Sequence, residues 1–123
     1  MLYNVSEVVK IKKKYYHKKL IRDKIPEKIE ASGDEYKIRV MGKKEFEKEL
    51  KKKLVEESKE LSRTPQEELL NELADVLELT KSIAAHFKIP FSRVEEAQEE
   101  KRKKRGGFKK KLFLIWSTRP AGK

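Results

Sequence analysis

The sequence predicts a mainly α-helical domain, a helical bundle with two or three short β-strands near its N- and C-termini. Two long stretches in the middle of the chain predict the helices, because their apolar residues recur near the 3.6-residue helical period and no glycine or proline interrupts them. Short segments that alternate apolar and charged residues, or are continuously apolar, predict the strands. No internal repeat is visible, so we expect residues 1–123 to form a single domain.

The first 42 residues predict short elements. Residues 1–14 have no clear helical period and are expected to form a loose arm or an extra strand. A short helix is predicted from Pro26 to Ala31, because proline suits the first turn and Gly33 is placed to end it. Tyr36 to Val40 alternates apolar and basic residues, the pattern of a half-exposed strand.

Two long helices should follow. The first spans Lys43 to Leu61, with an apolar stripe at Phe46, Leu50, Leu54 and Leu61. The second should begin at a capping box, with Thr64 as the N-cap and Glu67 reaching back to it, and should end before Pro90.

A third helix and a final strand complete the prediction. Ser92 and Glu95 resemble a second capping box, which opens a helix that turns strongly basic before Gly106. Leu112 to Trp116 is predicted as a strand that pairs with the one around Ile38.

Composition limits the classes of protein. Apolar residues make up only 37% of the chain, so a monomer would have a thin core and we expect a homodimer or a higher homo-oligomer. No apolar run approaches the length of a membrane span, and no cysteine is present, which favours a cytoplasmic protein without thiolate metal sites. Abundant lysine and glutamate with few amides are typical of thermophilic proteins.

The net charge of +11 is unevenly distributed. Residues 64–100 carry a net charge of −6, whereas residues 1–63 carry +7 and residues 101–123 carry +10. An acidic centre between basic ends could hold cations and a polyanion together. The alternative is a solvated surface with a basic tail, which charge alone favours.

Acidic residues border the apolar faces of both long helices. At about 100° per residue, Glu57 lies about 20° from Phe46, inside the apolar stripe, and Glu60 and Glu56 follow along one flank. Glu72 and Asp75 border the core face of the second helix in the same way.

Carboxylates near one another in a core require a cation, and oxygen-only ligands suit Mg²⁺, with Mn²⁺ also suitable. The competing interpretation is plain solvent exposure, which we expect for the E-x-x-E pairs Glu27/Glu30 and Glu96/Glu99.

These motifs resemble a known family. The segment from Glu56 to Glu60, followed by Glu72 to Asp75, is similar to the E-E-x-x-E … E-x-x-D signature of the MazG-like, all-α nucleoside triphosphate pyrophosphohydrolases, relatives of phosphoribosyl-ATP pyrophosphohydrolase. Lys19 to Pro26 resembles the K-L-V-R-D-K-I-P opening of a house-cleaning subgroup, and Lys104 to Phe108 resembles its R-G-G-F close. Only eleven residues separate Glu60 from Glu72, at or just under the short end of the family's gap.

The resemblance implies a MazG-like helical bundle and an enzyme that cleaves a nucleoside triphosphate between its α and β phosphates. It implies a catalytic role for Glu56 on the attacking water. The implied Mg²⁺ ligands are Glu57, Glu60, Glu72 and Asp75. The implied triphosphate-binding cations are Arg22, Lys24, Lys104 and Arg105. Lys53, on the ligand face, is the expected ion-pair partner of a site carboxylate.

Other interpretations stay open. The basic C-terminal segment, with interleaved Phe108, Phe113 and Trp116, is compatible with nucleic-acid binding, although the resemblance makes nucleic acid an unlikely partner. A metal-stabilised scaffold without catalysis is a further alternative. For Arg22, the competing role is a local ion pair with Asp23.

Overall fold

The computed structural model describes residues 12–120, and this part of the chain is mainly α-helical, as predicted. Its elements, in chain order, are α1 (Ile25–Ala31), α2 (Lys43–Arg63), a 3₁₀ helix (Gln66–Glu68), α3 (Leu69–His86) and α4 (Phe91–Arg105). The chain divides into two compact units, Met1–Leu79 and Thr80–Lys123, so the division falls within α3.

Helix α1 lies where the sequence predicts it and is closed by Gly33. This glycine has a φ of +77°, and its N–H donates to the carbonyl of Glu30 at 2.9 Å. The N–H of Asp34 donates to the carbonyl of Ile29 at 3.1 Å, which completes a Schellman motif. Nearby, Lys12 Nζ donates to Asp34 Oδ1 at 2.6 Å.

Helix α2 has the predicted apolar stripe, but the connection after it differs from the prediction. Leu50 is buried, and Phe46, Leu54 and Leu61 are partly buried. Thr64 does not cap the following helix: its Oγ1 donates to the carbonyl of Glu60 at 2.6 Å and so closes α2. The capping box at Thr64 was therefore a wrong prediction, because a free carbonyl at the end of α2 is the nearer partner for the hydroxyl.

The apolar residues of α3 divide into a covered face and an exposed stripe. Leu79 is buried and Val76 is partly buried. By contrast, Leu70, Leu73 and Leu77 are 79%, 53% and 47% exposed. The apolar residues of this helix are thus only partly covered by the other described residues.

In the second unit, α3 ends at a Schellman closure and α4 begins after Pro90. Lys88 adopts a φ of +58°, and the N–H of Ile89 donates to the carbonyl of Ala84 at 2.8 Å. Helix α4 begins at Phe91, with Pro90 as its N-cap and no side-chain cap hydrogen bond. The capping box at Ser92 was a wrong prediction, because the helix begins before that residue and places it inside the first turn.

The predicted strands are absent from residues 12–120. Tyr36–Val40 and Leu112–Trp116 lie outside helices, with Val40 and Phe113 almost fully exposed. Alternating or continuous apolar residues indicate an extended backbone, but a strand also needs a partner, and neither segment has one among the described residues. The predicted arm or strand at residues 1–14 lies mostly outside the described part of the chain. No described helix is both long and apolar enough for a membrane span.

Candidate metal centre

Three carboxylates converge within the first unit. Glu57 of α2 and Glu72 and Asp75 of α3 each offer an oxygen, and these oxygens all lie within 4.8 Å of one another. All three side chains are partly buried. The group combines one residue from α2 with two from α3, so it depends on how the two helices are held together.

The local sequence explains why these acids face each other. Glu57 follows Leu50 and Leu54 along the apolar stripe of α2, so the stripe that packs the helix also brings in the carboxylate. Glu72 and Asp75 are three residues apart on α3, which places them on one face of that helix. The connection between the helices spans only Thr64 to Glu68, so the acidic residues of the two helices are close in sequence.

Two cations contact the carboxylates. Arg22, from the segment before α1, donates from Nη2 to Asp75 Oδ1 at 2.7 Å. Lys53 lies one turn before Glu57 on α2, with its Nζ 3.7 Å from Glu57 Oε1. Each of these two carboxylates is therefore partly neutralised by its own basic partner.

Glu72 is the exception in this group. Its Oε2 is buried and has no hydrogen-bond partner among the described residues. Burial raises the pKa of Glu72. The pKa is raised further by the negative charges of Glu57 and Asp75, by a hydrogen bond with Glu57, and by the charge of Glu60. A buried acceptor without a donor, next to two other acids, favours a proton or a metal cation at this position.

The remaining predicted ligand and the predicted base lie at the edge of this group. Glu60 is exposed, lies outside the group of three, and pairs with Arg63 at 3.3 Å. Its charge still contributes to the raised pKa of Glu72. Glu56 is exposed on α2, one residue before Glu57. Their roles as a metal ligand and as the catalytic residue stay predictions.

The predicted triphosphate-binding cations fall in two places. Arg22 lies at the carboxylate group, and Lys24 precedes α1 as its N-cap with an exposed side chain. Lys104 and Arg105 are exposed in the last turn of α4, in the second unit. Of the two predicted cations in the first unit, Arg22 contacts a predicted metal ligand.

Sequence reasoning found the Lys53 partner but missed that of Arg22. The four-residue spacing of Lys53 and Glu57 on one helix predicts their pairing. Arg22 pairs with Asp75 in place of its neighbour Asp23, across 53 residues of sequence. No local pattern signals a contact of that separation.

Comparisons with known proteins leave the function to be inferred from these residues. No protein-family model matches the chain. Neither the curated proteins nor the solved structures contain a match to it.

Proposed function

We propose that this protein is a Mg²⁺-dependent nucleoside triphosphate pyrophosphohydrolase of the MazG-like kind. It would cleave the anhydride bond between the α and β phosphates and release a nucleoside monophosphate and pyrophosphate, as in the house-cleaning of modified nucleotides. The observation that supports this most is the convergence of Glu57, Glu72 and Asp75 within 4.8 Å. The motif resemblance implies metal binding by these three residues and by Glu60, which lies outside the group.

The residues present fit a hard divalent cation. All three offer carboxylate oxygens, which Mg²⁺ and Mn²⁺ prefer, and histidine is absent from the group. The unpartnered Oε2 of Glu72 is an acceptor that a cation would satisfy. When bound, the ion would supply positive charge to the phosphate oxygens and make a water molecule a stronger acid.

The chain's own residues would carry out the other steps. Glu56, exposed beside Glu57, would accept a proton from the attacking water. The water oxygen would at the same time form a bond to the α phosphorus. The bond from the α phosphorus to the bridging oxygen breaks, and pyrophosphate leaves with that oxygen. Arg22 and Lys24 would donate to phosphate oxygens, because a triphosphate needs countercharge beyond that of the metal. Lys104 and Arg105 are proposed for the same task at the end of α4.

The first experiment is a turnover assay. Purified protein is incubated with a panel of unmodified and modified nucleoside triphosphates, with and without Mg²⁺, and monophosphate and pyrophosphate are measured. We expect Mg²⁺-dependent release of both products from at least one nucleotide. A panel without metal-dependent turnover would contradict the proposal. Thermal stabilisation by the metal without turnover would instead favour the non-catalytic scaffold.

Nucleic-acid binding is the second candidate, supported by the exposed C-terminal segment. Phe108, Phe113 and Trp116 are 97%, 89% and 78% exposed. Ten basic and no acidic residues occur in residues 101–123. Exposed aromatic rings among cations suit the stacking of single-stranded bases. Salt-sensitive binding of single-stranded DNA, with no nucleotide turnover, would favour this candidate over the enzyme.

We also propose that the protein functions as a homodimer or a higher homo-oligomer. Leu70, Leu73 and Leu77 form an exposed apolar stripe on α3, about 60° wide at the helical period. Such a stripe is what one copy can bury against another, which would add to the thin core.

Light scattering after gel filtration tests this assembly. We expect the wild type to be at least a dimer. The double variant Leu70→Glu, Leu77→Glu should be a monomer, because like charges would face each other in the interface. Asn71→Glu, an exposed polar position on the same helix, is the matched control and should keep the assembly. A monomeric wild type at micromolar concentration would contradict the proposal.

A further inference from the structure

The two cations at the carboxylate group are held in different ways. Lys53 lies in the interior of α2, one turn from Glu57, and the two side chains are only 19% and 20% exposed. Arg22 lies in the segment before α1, outside any helix, and its side chain is 57% exposed. Lys53 is therefore fixed by its helix, whereas Arg22 can move away from Asp75 without disturbing a helical turn.

Arg22 and a divalent cation compete for the same charge. The Arg22 contact is a charge-assisted hydrogen bond at 2.7 Å to Asp75 Oδ1, one of the carboxylates in the group of three. Mg²⁺ binds oxygen at about 2.0–2.1 Å and demands nearly octahedral geometry. A guanidinium on Asp75 would lower the negative potential at the ligands and repel the ion. The Arg22 contact thus opposes metal binding at these residues.

A triphosphate offers Arg22 a better partner. The planar guanidinium fork matches phosphate oxygens and can donate two hydrogen bonds in parallel. The contact with Asp75 uses one terminal nitrogen, Nη2. Moving from Asp75 to a phosphate would let Arg22 form more bonds and would free Asp75 at the same time.

We propose that Arg22 is an exchangeable counter-ion: it neutralises Asp75 in the metal-free protein and transfers to the triphosphate when metal and nucleotide bind. This inference rests on the proposed function. It makes metal and nucleotide binding cooperative, because each ligand favours the same displaced position of Arg22. By linkage, the nucleotide increases the affinity for metal by the same factor by which the metal increases the affinity for nucleotide.

The experiment measures Mn²⁺ affinity by electron paramagnetic resonance, with and without an α,β-methylene nucleoside triphosphate that cannot be cleaved. The nucleotide is one that the turnover panel identifies as a substrate. The proteins are the wild type, Arg22→Gln, Arg22→Lys and Arg39→Gln. Arg39 is the matched control, since it pairs with Glu45 at 2.7 Å and does not contact the three carboxylates. Circular dichroism checks that each variant is folded.

We expect Arg22→Gln to bind Mn²⁺ about fivefold or more tightly than the wild type without nucleotide. The nucleotide should then increase its Mn²⁺ affinity much less than it does for the wild type. Arg39→Gln should match the wild type in both measurements. Arg22→Lys keeps the charge but loses the fork, so its Mn²⁺ affinity should lie between the two, and it replaces Arg22→Gln if that variant does not fold.

The possible contrary results are distinguishable. Weaker or unchanged Mn²⁺ binding by Arg22→Gln would overturn this inference alone, since Arg22 would then orient Asp75 or have no role in binding the ion. Absence of Mn²⁺ binding by every form, with or without nucleotide, would overturn the proposed metal-dependent function and this inference with it.

Discussion

The acidic residues of α2 and α3 differ from those of α4, although both sets contain the E-x-x-E spacing. Glu57 and Glu72 are partly buried and lie within a group of three carboxylates. On α4, Glu95, Glu96, Glu99 and Glu100 are all exposed. Spacing on one helix is therefore insufficient. A cluster of carboxylates forms only where a second helix contributes more acidic residues and partly covers them from water.

A third type of carboxylate makes the contrast clearer. Glu45, at the start of α2, accepts two hydrogen bonds from Arg39, each at 2.7 Å. The hydrogen bond from Arg39 lowers the pKa of Glu45. Burial, and then the nearby charges of Glu57 and Asp75, raise the pKa of Glu72. The charge of Glu45 is balanced by one arginine, whereas no basic side chain pairs with Glu72 among the described residues.

The largest expected effect is on turnover. Glu57→Gln and Asp75→Asn should each reduce kcat/KM by about 100-fold or more, because even residues that only support metal ligands cost about 10- to 100-fold. Glu96→Gln and Glu99→Gln on α4 should stay within about threefold of the wild type. Steady-state kinetics with the preferred nucleotide, with circular dichroism as the folding control, would measure this. Near wild-type activity of either α2 or α3 variant would contradict the ligand assignment.

A metal ion should stabilise the folded chain through the same residues. At about 100 times its Kd, a ligand that binds only the folded state contributes about 2.7 kcal/mol, which corresponds to a rise in Tm of about 10 °C. Calorimetry with Mg²⁺ or Mn²⁺ should show this rise in the wild type. Glu72→Gln should lose most of it, whereas Glu99→Gln should keep it. Equal shifts in both variants would place the ion elsewhere.

The smallest effect concerns pH in the absence of metal. Burial, then the charges of Glu57 and Asp75, raises the pKa of Glu72 above its ordinary 4.5. The resulting stability is fully present below pH 4.5 and is lost as pH rises through the folded-state pKa. With a chelator present to remove metal, the Glu72→Gln variant should therefore gain stability relative to the wild type as pH rises from about 5 to about 8.

Urea unfolding at the two pH values measures that difference. Glu45 provides the opposite sign: the stability from its lowered pKa is present above its ordinary 4.5 and is lost only as pH falls further. The difference between Arg39→Gln and the wild type should thus be constant over the same range. A pH-independent difference for Glu72→Gln would contradict the crowding of Glu72.

The helices could be predicted from sequence because their signals are local. The apolar stripe of α2, Pro26 and Gly33 at α1, and Pro90 after α3 each act within a few residues of the element that they define. The predicted cap at Thr64 was wrong for a related reason. The Thr64 hydroxyl could bond to the helix that follows or to the helix that precedes it, and the free carbonyl at the end of α2 decides between the two. The strands predicted within residues 12–120 did not form, because strand pairing depends on a partner that is distant in sequence.

The candidate site shows the same limit. The positions of Glu57, Glu72 and Asp75 follow from helical angles, so their convergence could be anticipated. Angles could not separate Glu60 from the group, since the side chain also has a nearby partner in Arg63. The Arg22 contact with Asp75 depends on how the segment before α1 meets α3, and no periodicity encodes that.

The short connection between α2 and α3 has a consequence for the order of folding. Glu57 and Asp75 are only 18 residues apart, so their helices can meet through a contact of low sequence separation, whereas Arg22 joins across 53 residues. Local contacts of this kind form early in folding. The acids would then meet before Arg22 arrives, and their mutual repulsion would raise the barrier to the first helical pairing. A divalent cation available at that moment should accelerate folding as well as slow unfolding.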